Sequence, residues 1–493
     1  MYIKRRIEQK LIDSLKSPVI TMITGARQVG KSTLMQKIEE YVSSSAAVKK
    51  SERIFLVKSF FAYTLDDTEL RSALKKDSYY IQKDIELSLG KPLSATTERV
   101  YIFVDEIQKY PQLLEWIKQI FDKNSSNVKF ILSGSSELGL RQDTSETLAG
   151  RIEYIHVFPL NYSEILNSRL GFSNDLFLKC LNTNVNVSNG GEQSSVDAIL
   201  SQLDINSTEN RTSVVKFLEE ELPKIYSQVK DKSREVTAIL LESMFYGGLP
   251  RIYNTPLEDR IKLIKNYISV YLETEIATIA RNLDLELFGL SLQSFANQNG
   301  EPLNLNQVSK EIGISRPSLY RYLDLLESTY LIKRIYPFKP SSAKEIDISK
   351  SISLYYLDTG LLNTLSYINS INEMIRPAKI DKIISSWLLL NLISELSTLD
   401  NPPKISYWQD YSGHKIDFIL QRNGTVYAFL VKKPKDTRRL KATLEKFMEL
   451  VDDRHVVVIY PTFNPYNQDL TYSVKVSSEI KNLVEVELPI AFI

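Results

Sequence analysis

The sequence predicts an α/β fold that opens on a parallel sheet covered by helices. Three observations carry this. Strand-length apolar runs alternate with helical patterns through the first third of the chain, which is the βαβ rhythm. The runs are continuously apolar rather than alternating, as in strands covered on both faces. A glycine-bounded loop follows the first run and opens the first helix, the context in which a phosphate-binding loop works.

The elements follow in order. Val19-Ile20-Thr21-Met22-Ile23 reads as a buried strand, and Leu34 to Val42 reads as a helix with Ile38 and Val42 four apart. Val100 to Val104 and Val128 to Leu132 are further strands. The rhythm stops around Pro159 to Glu164, and the polar, aperiodic stretch Asn182 to Gly191 reads as a loop or insertion. Helical patterns dominate from about Val196 to Arg281, broken at Gly247-Gly248-Leu249-Pro250. A compact helical unit with a strand-like tail covers about 283–345, and mixed α/β character returns from about 346.

Composition narrows the function. Sixty-one Lys and Arg against 60 Asp and Glu give a net charge of +1, which excludes a globally basic nucleic-acid coat. Any nucleic-acid surface is therefore local. Hydrophobic residues at 43% and charged residues at 25% exclude a disordered or fibrous chain. One cysteine, Cys180, excludes a disulfide framework, and three histidines argue against a histidine-rich zinc site. Met1 to Arg6 leads into an amphipathic stretch rather than a signal segment, and apolar runs such as Trp387 to Leu390 fall short of the roughly 20 residues of a membrane span. The expectation is a cytoplasmic, multidomain protein without membrane contact.

Gly25-Ala26-Arg27-Gln28-Val29-Gly30-Lys31-Ser32, followed by Thr33, matches the phosphate-loop pattern at every defined position. Its glycines let successive backbone N–H groups converge on phosphates, and the following helix adds its positive end. Lys31 would reach the β- and γ-phosphates, and the Ser32 hydroxyl would ligate Mg²⁺. The strand Val100 to Val104 ends in Asp105-Glu106. Asp105 suits the Mg²⁺ shell, and Glu106 suits polarising an attacking water. Ser133, at the tip of the next strand, either senses the γ-phosphate or belongs to a plain turn. Arg151 is the candidate cation for a phosphate, with a structural ion pair as its alternative use.

These motifs occur in a set order. The phosphate loop is followed by Val104-Asp105-Glu106-Ile107-Gln108, Leu132-Ser133-Gly134-Ser135-Ser136 and Leu148-Ala149-Gly150-Arg151. Pro159-Leu160-Asn161-Tyr162-Ser163-Glu164 and Gly247-Gly248-Leu249-Pro250 complete the series. The series resembles the AAA-superfamily ATPases of archaea and bacteria that carry a winged-helix segment and a nuclease-like C-terminal domain. The resemblance spans most of the chain, apart from the insertion near 171–235. It implies an AAA-type P-loop NTPase core, a helical lid, ATP as the nucleotide and a possible homo-oligomer. The expected division is a core over 1–165, a lid over 166–282, a winged helix-turn-helix over 283–345 and a small α/β domain over 346–493.

Leu305 to Ile312 fits one helix with Asn304 as its cap, and Gly313-Ile314-Ser315 turns into a second helix capped by Ser315. Leu319, Tyr322, Leu323 and Leu326 share one stripe of that helix, leaving Arg316, Ser318, Tyr320 and Arg321 on the open face. Such a face suits major-groove readout of double-stranded DNA. Lys333 and Arg334, in the following strand-like segment, would supply a wing with two cations for phosphates. The alternative is a winged helix that packs domains or binds protein.

In the last part, Ile405 to Trp408, Ile416 to Leu420, Val426 to Val431 and Val456 to Ile459 read as strands, with Asn423-Gly424 as a hairpin turn. This ordering resembles the restriction-endonuclease-like core. The resemblance implies an Asp on one strand and a Glu-x-Lys on the next, and Asp417 and Lys432 match two of those places. Leu430 stands where the Glu belongs, with Asp381 as the one replacement carboxylate. Lys432, Lys433, Lys435, Arg438, Arg439 and Lys441 form the densest basic cluster. The functional expectation is an ATP-binding, Mg²⁺-dependent ATPase whose nucleotide state controls contact with DNA or a partner. An ATP-dependent nuclease and a non-hydrolysing, ATP-switched binding protein are the alternatives.

Overall fold

The computed structural model describes residues 2–48, 60–135, 148–172, 176–182, 208–271, 276, 283–338, 352–451, 454–465 and 470–493. Ser136, the polar stretch 183–191 and the segment 339–345 lie outside the described residues.

The first sheet contains β1 (Ile20–Thr24), β2 (Phe60–Thr64), β3 (Val100–Asp105), β4 (Val128–Gly134) and β5 (Ile152–His156). Its order is β2-β3-β4-β1-β5 and every neighbouring pair is parallel. Parallel strands need crossovers, and helices Lys31–Val48 and Leu113–Asn124 are two of them. Alternate residues feed two cores. Met22, Ile102, Val104 and Phe130 meet Trp116 and Ile117 on one face. Ile23, Phe103 and Ile131 join Leu34 and Ile38 in the core of the other face.

That second core continues into the rest of the molecule. Helices Ser233–Tyr246 and Leu257–Val270 join it, as do Leu285–Asn297, Leu305–Ile312 and Arg316–Ser328. The latter two helices have the expected caps: Asn304 accepts from Gln307 N and Ser315 from Ser318 N. Leu319, Tyr322, Leu323, Leu325 and Leu326 are buried, while Arg316, Tyr320 and Arg321 are exposed.

Eight further strands form a second sheet: β6 (Ile332–Pro337), β7 (Ser353–Tyr356), β8 (Ser406–Gln409), β9 (Lys415–Arg422), β10 (Thr425–Phe429), β11 (His455–Thr462), β12 (Ser473–Val476) and β13 (Leu483–Pro489). The order is β12-β13-β11-β10-β9-β8-β6-β7. β6 pairs antiparallel with β7 and parallel with β8, so the expected division at 345/346 runs through one continuous sheet. Asn423 and Gly424 both take left-handed φ, 50° and 75°, as the expected two-residue hairpin turn requires.

Helix Pro377–Leu396 is buried on every side from Ile383 to Leu392, polar residues included. It docks on the first domain through side chains. Asn161 Nδ2 donates to Glu395 Oε1 at 2.9 Å, Asn391 Oδ1 accepts from Tyr162 N at 2.7 Å, and Arg6 pairs with Glu395 at 2.8 Å. No helix among the described residues is long and apolar enough to cross a membrane.

Candidate functional site

β1, β3 and β4 run parallel and end together, so one edge of the sheet gathers the expected residues. The loop Gly25–Gly30 leaves β1 and enters helix Lys31–Val48, where Leu34 N already bonds Gly30 O at 2.9 Å. Gly25 is needed for space: a Cβ there would lie 2.1 Å from Val157 O. Gly30 has φ +98°, a conformation that L side chains rarely adopt. Ala26 and Val29 are buried, Arg27 and Gln28 are half-buried, and Ser32 and Thr33 are exposed at the helix start. Lys31 is buried, and its ammonium donates to Gly25 O and Ala26 O, both at 2.9 Å. The charge therefore sits inside the loop.

Asp105 and Ser133 meet directly, the hydroxyl of Ser133 donating to Asp105 Oδ1. Glu106 N lies 3.1 Å from the same oxygen and 3.3 Å from Ser133 Oγ. This closeness comes with left-handed backbone at Glu106, φ 59°. Gln108 holds that carboxylate at 2.5 Å and also donates to Ser135 Oγ at 3.0 Å.

Two members of the site were not legible as motifs. Glu39, on helix Lys31–Val48, has its carboxyl pushed above the ordinary value, by burial first and then by the negative charge of Asp105. Arg5 braces the loop from beneath. Its buried guanidinium donates to Val29 O at 2.8 Å and to Phe158 O at 2.6 Å, and pairs with buried Glu164 at 3.0 Å. Glu164 in turn completes a capping box with Asn161. A lone Arg near the start of a chain carries no sequence signal for this role.

Arg151 lies elsewhere. It precedes β5 at the opposite edge of the sheet, where Arg151 O accepts from Ile20 N at 2.8 Å. At about 3.3 Å per residue, β1 alone separates it from the loop by about 13 Å. Its guanidinium forms a bidentate pair with Asp122, at 2.6 and 3.2 Å. Within its own chain the residue makes a structural ion pair and does not reach the phosphate loop.

The expected wing cations are also engaged. Arg334 pairs with Glu327 and, at 2.8 Å, with Asp324, while Lys333 lies 3.5 Å from Glu327. Both acids belong to helix Arg316–Ser328; half-buried Arg334 is tied to the two of them, whereas Lys333 stays exposed. Arg316, Tyr320 and Arg321 do remain exposed, and Ser318 is half-buried against Ser315 Oγ at 3.0 Å.

In the second sheet, lysines and backbone occupy the carboxylates that the sequence singled out. Asp417 accepts from Val431 N at 2.8 Å and pairs with Lys415 at 3.1 Å, and Lys415 also donates to Gly300 O at 2.9 Å. Lys432 pairs with Asp381 at 2.7 Å, and buried Leu430 spends its N–H on Ile459 O. Among the described residues no three His, Cys, Asp or Glu side chains are grouped to hold a metal ion. The basic cluster is partly neutralised, Lys433 by Glu487 and Lys441 by Glu479.

Residues 17–166 match a family model described as an AAA domain, the span of the parallel sheet and its loop. The chain thus carries an AAA-type P-loop domain, a nucleotide-binding fold. Residues 237–372 and 382–478 match two models described as domains of unknown function, DUF8612 and DUF4143. The chain is 19% identical over 94% of its length to an uncharacterized protein of Mycobacterium tuberculosis, covering 81% of that protein. It is 25% identical over 74% of its length to an uncharacterized protein of Methanocaldococcus jannaschii, covering 65% of it. Among solved structures, C. elegans PCH-2 aligns with 43% of this chain and 53% of its own, at 16% identity and a TM-score of 0.22. The Pif1 helicase of Candida albicans aligns with 41% of this chain and 54% of its own, at 14% identity and a TM-score of 0.23.

Proposed function

We propose that the protein binds ATP with Mg²⁺ and hydrolyses it, and that nucleotide state controls contact between its winged-helix segment and DNA or a partner. One observation carries the reading. The phosphate loop, the Asp105-Glu106 pair and Ser133 converge at one edge of a parallel sheet, with Lys31 buried inside the loop.

The residues fit a hydrated divalent cation. Exposed Ser32 and half-buried Asp105 offer hard oxygens. Bound Mg²⁺ would neutralise charge on the phosphate oxygens. Lys31 would hold the phosphates, Ser133 would keep Asp105 aligned, and Glu106, oriented by Gln108, would take the proton of the attacking water. Arg151 could serve only the site of a neighbouring subunit. Arg316, Tyr320 and Arg321 would meet DNA, with exposed Lys333 as the less engaged of the two wing cations.

ATP turnover measured with and without duplex DNA across a salt series tests both parts. Turnover that depends on Lys31, with DNA binding that weakens steeply as salt rises, supports the reading. Absence of nucleotide binding would remove it. Binding without turnover would leave a nucleotide-switched binding protein.

A further inference from the structure

We infer that Thr329 and Tyr330, the two residues leaving helix Arg316–Ser328, are positioning residues of the phosphate loop, so that the nucleotide and the open face of that helix act on one another. This deepens the nucleotide reading proposed above and rests on it.

Two separate routes join the helix end to the loop. In the first, Tyr330 Oη donates to Thr24 Oγ1 at 2.8 Å, and Thr24 is the residue immediately before Gly25. His156, at the end of β5, closes a triangle with its Nδ1 2.8 Å from Thr24 Oγ1 and 2.9 Å from Tyr330 Oη. In the second, Tyr271 Oη lies 2.6 Å from Thr329 Oγ1, and the Tyr271 ring stacks on Tyr267 at an interplanar angle of 7°. Tyr267 Oη then donates to Arg27 O, inside the loop, at 3.3 Å. Adjacent residues of one segment thus reach positions 24 and 27 of the other.

The helix is tied to the same atoms. Thr329 Oγ1 donates to Leu325 O at 2.8 Å, in the last turn of helix Arg316–Ser328. Thr24, Thr329, Tyr271, Tyr267 and Tyr330 are all buried. Buried hydroxyls strengthen one another when paired and are costly when parted, so the set moves as a unit or not at all. Tyr330 also has φ 60°, a left-handed conformation at a helix end where glycine is the usual choice. A bulky residue persists there only when its surroundings over-determine it, and Thr24 and His156, against the hydroxyl and ring of Tyr330, supply those surroundings.

Seating phosphates would draw the Lys31 ammonium off the Gly25 and Ala26 carbonyls that it now bonds, freeing that stretch of loop to adjust. These carbonyls lie between Thr24 and Arg27, the two anchored positions. A ligand that prefers one arrangement of the loop therefore biases the helix end, and by reciprocity a ligand on the helix biases the loop.

Hydrogen exchange of the full chain, with and without a slowly hydrolysed ATP analogue and Mg²⁺, reads this directly, with analogue affinity titrated on the same sample. In the parent, the analogue is expected to change exchange over residues 316–331. In the Tyr271→Phe/Tyr330→Phe double variant, binding should weaken by about three- to ten-fold. The change over 316–331 should then vanish even at saturating analogue. An unaltered change in the double variant, or a parent that binds analogue with no change there, would overturn the inference. A parent that binds no analogue overturns the nucleotide reading and this inference together. Should the double variant not fold, Thr329→Val removes one hydroxyl at constant shape and is expected to blunt the change; a full response in it would equally overturn the inference.

Discussion

The hydroxyl of Tyr330 donates to that of Thr24 at 2.8 Å across 306 residues of sequence, joining the end of one helix to the start of the phosphate loop. Left-handed backbone at a tyrosine costs about 1–3 kcal/mol, so the contact is held against local preference. A second long-range contact has the same character. Buried Asp358 accepts from Gly248 N at 2.8 Å and from Leu361 N at 3.0 Å, tying the Gly247–Pro250 turn to the segment after β7. Gly247 has no room for a side chain, since a Cβ would meet Asp358 Oδ1 at 2.2 Å. The first domain, the three-helix unit and the second sheet are thus fastened through buried polar atoms.

Arg5 supports the loop from outside any motif. Arg5→Ala would leave Glu164, whose side chain is 2% exposed, without its guanidinium. Removing one partner of a buried pair costs about 3–5 kcal/mol. Urea denaturation should register that loss, and Arg5→Lys should recover only part of it because an ammonium lacks the planar fork. A loss below about 1 kcal/mol in Arg5→Ala would contradict the bracing role.

Lys129 makes stability depend on pH in a stated direction. Burial in the first sheet lowers its pKa from the ordinary 10.5 to about 8, with Glu153 only partly offsetting this. Between those two values the folded lysine is neutral while the unfolded one is charged, so unfolding takes up a proton and stability rises with pH. Below about 8 both states are charged and the burial cost, up to about 3 kcal/mol, is present in full. Lys129→Met should therefore be more stable than the parent near pH 7, with the gap narrowing by pH 9.5 in thermal melts. A gap that widens with pH would refute the assignment.

The open face of helix Arg316–Ser328 now rests on fewer cations than the sequence offered. Arg316→Ala/Arg321→Ala should lower duplex DNA affinity by about 1–3 kcal/mol for each arginine that reads a base through a bidentate pair. Lys333→Ala should matter less, because Glu327 already holds that charge. Anisotropy titrations that leave the double variant equal to the parent would assign this face to protein packing.

The second sheet should not cut DNA. Asp417 is already satisfied by Lys415 and Val431 N, and Leu430 offers no side-chain oxygen. Plasmid incubated with the protein, Mg²⁺ or Mn²⁺ and ATP should stay intact. Cleavage that disappears in Asp417→Ala would overturn this.

Much of the molecule was legible because its signals are local. The phosphate loop, the strand ending in Asp105-Glu106, the Asn304 and Ser315 caps and the Asn423-Gly424 turn each depend on a few consecutive residues. What escaped depends on distance. Arg334 reads as a free cation until Asp324 and Glu327 of the preceding helix turn to meet it. Arg151 reads equally as a phosphate ligand or a structural ion pair until the parallel pairing of β5 with β1 sets it beside the start of β1, against Asp122. β2, and the pairing of β6 with β8 across the expected division, follow from partners far along the chain. Arg5 and Tyr330 belong to the same class, since their partners lie 24 and 306 residues away.

The central claim is that Lys31 and Glu106 divide binding from turnover, and single-turnover ATP hydrolysis alongside equilibrium binding tests it most directly. Lys31→Ala should lose nucleotide binding, because the loop loses the charge that faces the phosphates. Glu106→Gln should keep binding while turnover falls by about 100-fold or more, because the amide cannot accept the water's proton. Turnover in Glu106→Gln equal to that of the parent, or undiminished binding in Lys31→Ala, would contradict the account.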